Sequence, residues 1–176
     1  STTRQLVCEK APATLDEALE LTKELYTDAT VSIGEKLSFR RFELVQKEEG
    51  QGVGTYIHMG GKISVLVLLE KEDAELGKGI AMHIAANNPL YCTTDDIPGD
   101  AVAHEKSVQL EAAKNDPKLA GKPAEMLNKI LDNKVAKYFS EMVLLAQPYL
   151  LDDSKTVETA LKEKGVKVVK YVRYQV

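Results

Sequence analysis

The sequence predicts an α+β fold: an antiparallel β-meander sheet with packed helices, carrying an inserted antiparallel helical hairpin, a coiled coil. Three observations carry that expectation. Residues 53–58 and 62–70 read as two strands on either side of a Met-Gly-Gly turn. Several other segments repeat apolar residues at steps of three and four, as helices with one buried face do. One of these, with Leu127, Leu131, Val135, Tyr138 and Met142, has only a narrow seam, the pattern of a helix paired with a neighbour.

Taken in order, residues 14–26 read as a helix. Thr14 caps it, Glu17 stands three residues on as the reciprocal partner, and Leu15, Ala18, Leu19, Leu21 and Leu25 form the buried stripe. A turn, "DATVSIGEK", follows. Residues 37–46 read as a strand, with Phe42 and Leu44 on one face and Leu37, Phe39 and Val45 on the other. Gly50, Gln51 and Gly52 make the next turn. The strands at 53–58 and 62–70 are joined by Met59, Gly60 and Gly61, because Gly-Gly supplies the positive backbone angles of a tight hairpin. Residues 73–86 form a helix with Leu76, Ile80 and Ile84 on one face, stopped at Asn87-Asn88-Pro89. After the polar stretch "CTTDDIPG" come helices at 100–114 and 123–144, then a short capped helix at 154–164 closed by Gly165. The last strand, 166–176, places Val166, Val168, Val172, Tyr174 and Val176 on one face. The organisation this implies is a helical remainder over 1–36, a core subdomain over 37–99 and 145–176, and a peripheral hairpin over 100–144.

The glycine-rich stretch "GQGVGTYIHMGGKIS", residues 50–64, holds five of the chain's eleven glycines. A phosphate-cradling loop needs Gly-x-x-x-x-Gly-Lys-Ser/Thr. Counting back from Gly61-Lys62 puts Tyr56 at the first glycine, and Ile63 stands where the hydroxyl belongs, so the stretch is read as turns of the meander.

At 176 residues the chain can bury a real core. Its net charge of -4 argues against a nucleic-acid binder, whose phosphate contacts need a surplus of Lys and Arg. No apolar run is long enough to span a bilayer. Cys8 and Cys92 lack metal-ligand spacing and are expected as free thiols of a reducing compartment. The paired acids Asp95-Asp96 and Asp152-Asp153 sit in turns, where capping is favoured over metal binding. No nucleophile-base pair is legible. The residues therefore favour a non-enzymatic interaction domain with no cofactor and no metal. Of the three histidines, His83 follows Ile80 on the apolar stripe and is expected to be a hydrogen-bonded core residue. His104 is expected in solvent. His58 ends a strand beside the Gly-Gly turn, on the same face as Tyr56; a partner contact and a plain surface histidine fit that spacing equally.

Four stretches resemble one family. "IGEKLSFRRFE" is similar to the Ile-Gly-Glu-Asn-Ile-x-x-Arg-Arg segment of translation elongation factor Ts, and "GTYIHMGGKISVLVLL" to that family's Tyr-x-His hairpin and following strand. "IAMHIAANNP" resembles its Ala-Met-His-Ile-Ala-Ala helix. "GKPAEMLNKILDNKVAKYFSEMVLLAQPYLLDDSKTV" matches its Lys-Pro-Glu to Thr-Val positions in order. The likeness runs from about Ile33 to the end. Asn128, Asn133 and Ala146 depart from the family's usual Glu, Gly and acid. The Thr-Asp-Phe-Val motif, the amino-terminal helical domain and the carboxy-terminal helix of the family have no counterpart, so the chain is expected to be a core fragment.

The resemblance implies a guanine-nucleotide exchange factor that binds elongation factor Tu and promotes GDP release, in the cytoplasm or an organellar matrix. It implies that Tyr56, His58, Met59, Gly60 and Gly61 face the partner, with His58 approaching its phosphate-binding loop. Without the Asp-Phe pair, binding with weak exchange is expected. The alternative is a structural or homodimerisation module that pairs through its sheet.

Overall fold

The computed structural model describes residues 2–176. Its contacts part the chain into two units, Ser1–Gln46 and Lys47–Val176.

The first unit holds α1 (Thr2–Lys10) and α2 (Leu15–Ile33). Thr14 caps α2 by accepting from the Glu17 N–H at 3.2 Å, while the Glu17 carboxylate reaches back to the Ala13 N–H at 2.7 Å. The helix runs on past Tyr26 through the stretch expected to be a turn. It ends where Gly34 takes a left-handed conformation (φ 76°) and its N–H closes on the Thr30 carbonyl. Of the expected stripe Ala18 is buried, joined by Thr22, while Leu21 and Leu25 are half-buried and Leu15 and Leu19 stay exposed. The Thr22 hydroxyl is spared an unpaired burial by donating to the Ala18 carbonyl at 2.7 Å.

The strand expected over residues 37–46 does not form. A strand needs a ladder partner, and among the described residues this segment has none. Nor does it keep a pleat: Phe39 and Phe42, which alternation would put on opposite faces, have their rings 6.0 Å apart, and Phe39 also meets Tyr26.

The second unit is built on a three-stranded antiparallel sheet, order β1 (Gly52–His58), β2 (Ile63–Leu69), β5 (Val168–Gln175). On one face α3 (Ala74–Asn87) crosses β1 and β2. Asp73 caps it through the Leu76 N–H, and Asn88 closes it in the left-handed region. Gly54, expected as a strand glycine, serves this packing, and Gly52, expected in a turn, starts β1 and closely approaches the backbone of residues 71–73 that leads into α3. A Cβ on Gly54 would lie 2.2 Å from the Gly77 backbone, so helix and strand touch main chain to main chain. The core between the layers is Val65, Val67 and Leu69 from β2, Leu76, Ile80 and Ile84 from α3, and Val157 and Leu161 from α6 (Val157–Lys164).

The face expected for the last strand is split by a β-bulge. Leu69 pairs with Val168 but Leu68 with Lys170, so Val169 is the extra residue. Parity flips there. Val168 and Tyr171 pack on the core, whereas Val172 and Tyr174 pair with Leu66 and Ser64 on the opposite face.

Helices α4 (Gly99–Lys114) and α5 (Ala124–Ser140) pack on each other around Ala113, Leu119 and Leu131, with Lys106 paired to Asp132 at 2.6 Å. The helix α5 stops four residues before the expected Leu144. Its buried line is Leu131, Val135 and Phe139, while Tyr138 is exposed and Met142 lies beyond the helix. Leu144 belongs to the main core. The base of the pair is tied across: Tyr91 bridges Val143, and the Leu90 N–H donates to the Met142 carbonyl at 2.8 Å. Part of the last helix expected at 154–164 is instead strand. Residues Asp152–Thr156 (β4) turn back on Pro148–Tyr149 (β3), and α6 starts after its Thr156 cap.

Among the described residues no helix is long and apolar enough to cross a membrane.

Candidate functional site

The tip of the β1–β2 hairpin is the most exposed part of the sheet that also carries chemistry. Pairing is continuous from Gly52–Leu69 to His58–Ile63, so the strands hold the turn rigidly at its root. The chain then passes through Met59, Gly60 and Gly61 with φ of 51°, 67° and 101°. Glycine adopts such angles freely. Met59 does not, and a methionine held in the left-handed region costs on the order of 1–2 kcal/mol. Its side chain is 61% exposed, so packing does not explain the choice.

Tyr56 and His58 lie on the α3 side of β1, two residues apart. Tyr56 is half-buried against the core and His58 is exposed. Their rings stack at 5.8 Å with an interplanar angle of 25°, and the Tyr56 hydroxyl lies 3.1 Å from His58 Nδ1. Together with Met59, Ile63, Met82 and Leu150 they border a shallow concavity of ≈ 390 Å³. The turn residues and both rings thus come together at one place. The surface is mostly apolar, with one imidazole edge for polar recognition.

His83, Ile80 and Ile84 lie elsewhere, fully buried on α3. His83 Nδ1 is 3.1 Å from the Leu150 N–H, which can only donate, so Nδ1 accepts and the proton sits on Nε2. That Nε2–H donates to Gln147 Oε1 at 2.8 Å, and the Gln147 amide donates onward to the Glu141 carbonyl at 2.7 Å. Burial lowers the His83 pKa, opposed more weakly by the Gln147 bond. The imidazole is a neutral brace between α3 and the 147–150 segment, which supplies Leu150 to the concavity. Nothing in the spacing of His83 and Gln147, 64 residues apart, signals this link.

Other chemistry is sparse. Cys8 and Cys92 are free thiols; burial, and then the Asp96 carboxylate, pushes the Cys92 thiol up and disfavours its thiolate. His104 is exposed on α4. The Asp96 carboxylate accepts from the Thr93 N–H as a capping acid does, whereas Asp152 caps no helix: it lies in β4, accepts from Ser154 and pairs with Lys155 at 3.2 Å. Among the described residues no three His, Cys, Asp or Glu side chains gather where a metal ion could sit.

The sequence profile of the family described as Elongation factor TS matches residues 2–176. Curated relatives bear the same description. The chain is 39% identical over 180 residues to Elongation factor Ts of Oenococcus oeni, covering 99% of this chain and 60% of that protein. It is 40% identical over 178 residues to Elongation factor Ts of Pediococcus pentosaceus, covering 98% and 59%, and 36% identical over 178 residues to that of Limosilactobacillus reuteri, covering 98% and 60%. The chain therefore spans about 60% of the length of these relatives.

Proposed function

The chain belongs to the elongation factor Ts family, and from that premise we propose that it binds the GTPase elongation factor Tu and promotes GDP release. It makes and breaks no covalent bond in doing so, and it works where translation does, in the cytoplasm or an organellar matrix. The observation that carries the reading is the hairpin tip: His58 and Met59 stand exposed on a turn whose backbone takes an uncommon conformation. A partner that binds the nucleotide-free GTPase better than the GDP form must weaken GDP binding by the same factor. The tip acts by occupying space beside the phosphate-binding loop that the GDP-bound conformation also needs. The net charge of -4 fits a protein partner better than RNA.

The test is stopped-flow release of a fluorescent GDP analogue from elongation factor Tu. The 176-residue chain should bind the nucleotide-free GTPase and accelerate release, though less than a full-length relative, since no Thr-Asp-Phe triplet is present in it. His58→Ala should lower release while moving stability by no more than about 0.5 kcal/mol. Equal release by variant and parent would sink the assignment of His58.

A second reading has its own observation. The sheet face away from α3 carries Val53 and Ile57, 41% and 64% exposed. Such a face suits self-association, and gel filtration with and without the GTPase separates a mixed complex from a self-complex.

A further inference from the structure

The hydroxyl of Tyr56 has a task that its ring does not. The ring packs against the main core, and phenylalanine would do that equally well. The hydroxyl is placed 3.1 Å from His58 Nδ1. Of the two ways to share a proton there, phenol O–H to imidazole nitrogen is favoured, because a phenol is the stronger donor and a ring nitrogen the stronger acceptor. Nδ1 then accepts, and the neutral ring carries its proton on Nε2, at the far side from the tyrosine. The stacking at 25° holds the plane of the imidazole as well as its tautomer.

We propose that Tyr56 is a positioning residue, which presents His58 to the partner as an oriented Nε2–H donor. The group it meets is accordingly an acceptor oxygen, such as a main-chain carbonyl, and not an amide N–H. Three elements converge on that outcome. Alternation along β1 puts the two rings on one face, the ladder to His58–Ile63 fixes the strand end, and the left-handed Met59 turns the chain away immediately afterwards. This role deepens, and rests on, the partner-binding reading given above.

Two measurements on the 176-residue chain test it separately. Long-range proton–nitrogen NMR of the histidine rings, with His58 assigned by its loss in His58→Ala, reads the tautomer in the free protein. The parent should show Nε2 protonated and Nδ1 accepting. In Tyr56→Phe the pair of nitrogen shifts should move toward those of an unconstrained imidazole, with the urea midpoint nearly unchanged. Binding to nucleotide-free elongation factor Tu should weaken about two- to tenfold in Tyr56→Phe, the range expected for one hydrogen bond. Tyr56→Phe/His58→Ala should bind no more weakly than His58→Ala. Unchanged His58 shifts in Tyr56→Phe overturn the positioning role. An additive double variant does so too, since Tyr56 would then touch the partner itself. Moved shifts alongside unaltered binding by His58→Ala instead overturn the partner reading, and leave Tyr56 as the setter of the tautomer only.

Discussion

Replacing His83 with alanine tests the brace that holds the second unit together. The imidazole is fully buried and bonded at both nitrogens, to Gln147 Oε1 at 2.8 Å and to the Leu150 N–H at 3.1 Å. His83→Ala leaves Gln147, itself buried, with an orphaned oxygen, at a cost of about 1–3 kcal/mol. The vacated ring adds a cavity of roughly 60 Å³, worth about 1.5 kcal/mol at about 24 cal/mol per Å³. The sum is a loss of roughly 2.5–4.5 kcal/mol, a visible fall in urea midpoint by circular dichroism. The same residue gives a pH signature. Burial lowers its folded pKa below the ordinary 6.5, so in the window below 6.5 the unfolded chain takes up a proton that the folded chain refuses. Stability from this source is complete above that value and is lost as pH falls, with a slope of at most about 1.4 kcal/mol per pH unit. Melts at pH 7.5 and 5.5 should therefore diverge more for the parent than for His83→Ala. A variant that melts with the parent at pH 7.5, or keeps the parent's whole pH dependence, refutes the brace.

Two further outcomes follow from the packing. Gly54→Ala should lower stability by on the order of 1–3 kcal/mol or more, because its Cβ would fall 2.2 Å from the Gly77 backbone and force α3 off the sheet; Gly99→Ala, which meets nothing within 4 Å, is the control, and equal melting of the two would discredit the contact. Exchanging residues 99–140 for a short Gly/Ser link should leave a cooperatively unfolding remainder, since the Tyr91–Val143 bridge already ties the flanks; an aggregated or molten product would show that α4 and α5 are integral to the core.

Local signals were legible and distant ones were not. Thr14 caps a helix and Gly165 ends one, as expected, because such signals are decided within four residues of chain. The β1–β2 hairpin was legible for the same reason. Residues 37–46 carry a strand's alternation, yet alternation specifies a face and supplies no partner. The register of β5 was lost at a single residue: Val169 bulges, and every later side chain changes face. Glycine misled in another way. Gly54 and Gly77, 23 positions apart, matter for their contact across two layers, which one-dimensional spacing cannot express. At the candidate site, the shared face of Tyr56 and His58 could be read from alternation, but the 3.1 Å hydroxyl contact could not. Nor could Met82 and Leu150, brought to the site by α3 and the His83 brace.

The way the hairpin tip is anchored bears directly on how an exchange factor would work. Ordering a flexible residue costs about 1–2 kcal/mol. Three turn residues left mobile until contact would subtract about 3–6 kcal/mol from binding, a factor of roughly 10² to 10⁴ in Kd. Here the ladder to His58–Ile63 anchors both ends of the turn before any partner arrives, which limits that cost. Pre-ordering alone strengthens binding to the GDP-bound and nucleotide-free partner equally, and equal strengthening shifts nothing. Release needs a contact that the two states cannot both accept. When a turn meets a nucleotide-binding loop in space for only one of them, the softer of the two gives way. A mobile turn would yield and leave GDP in place. On the function proposed above, a turn anchored by two paired strands, with α3 packed behind them and the His83 link holding Leu150 beside it, would make the partner's loop the element that moves.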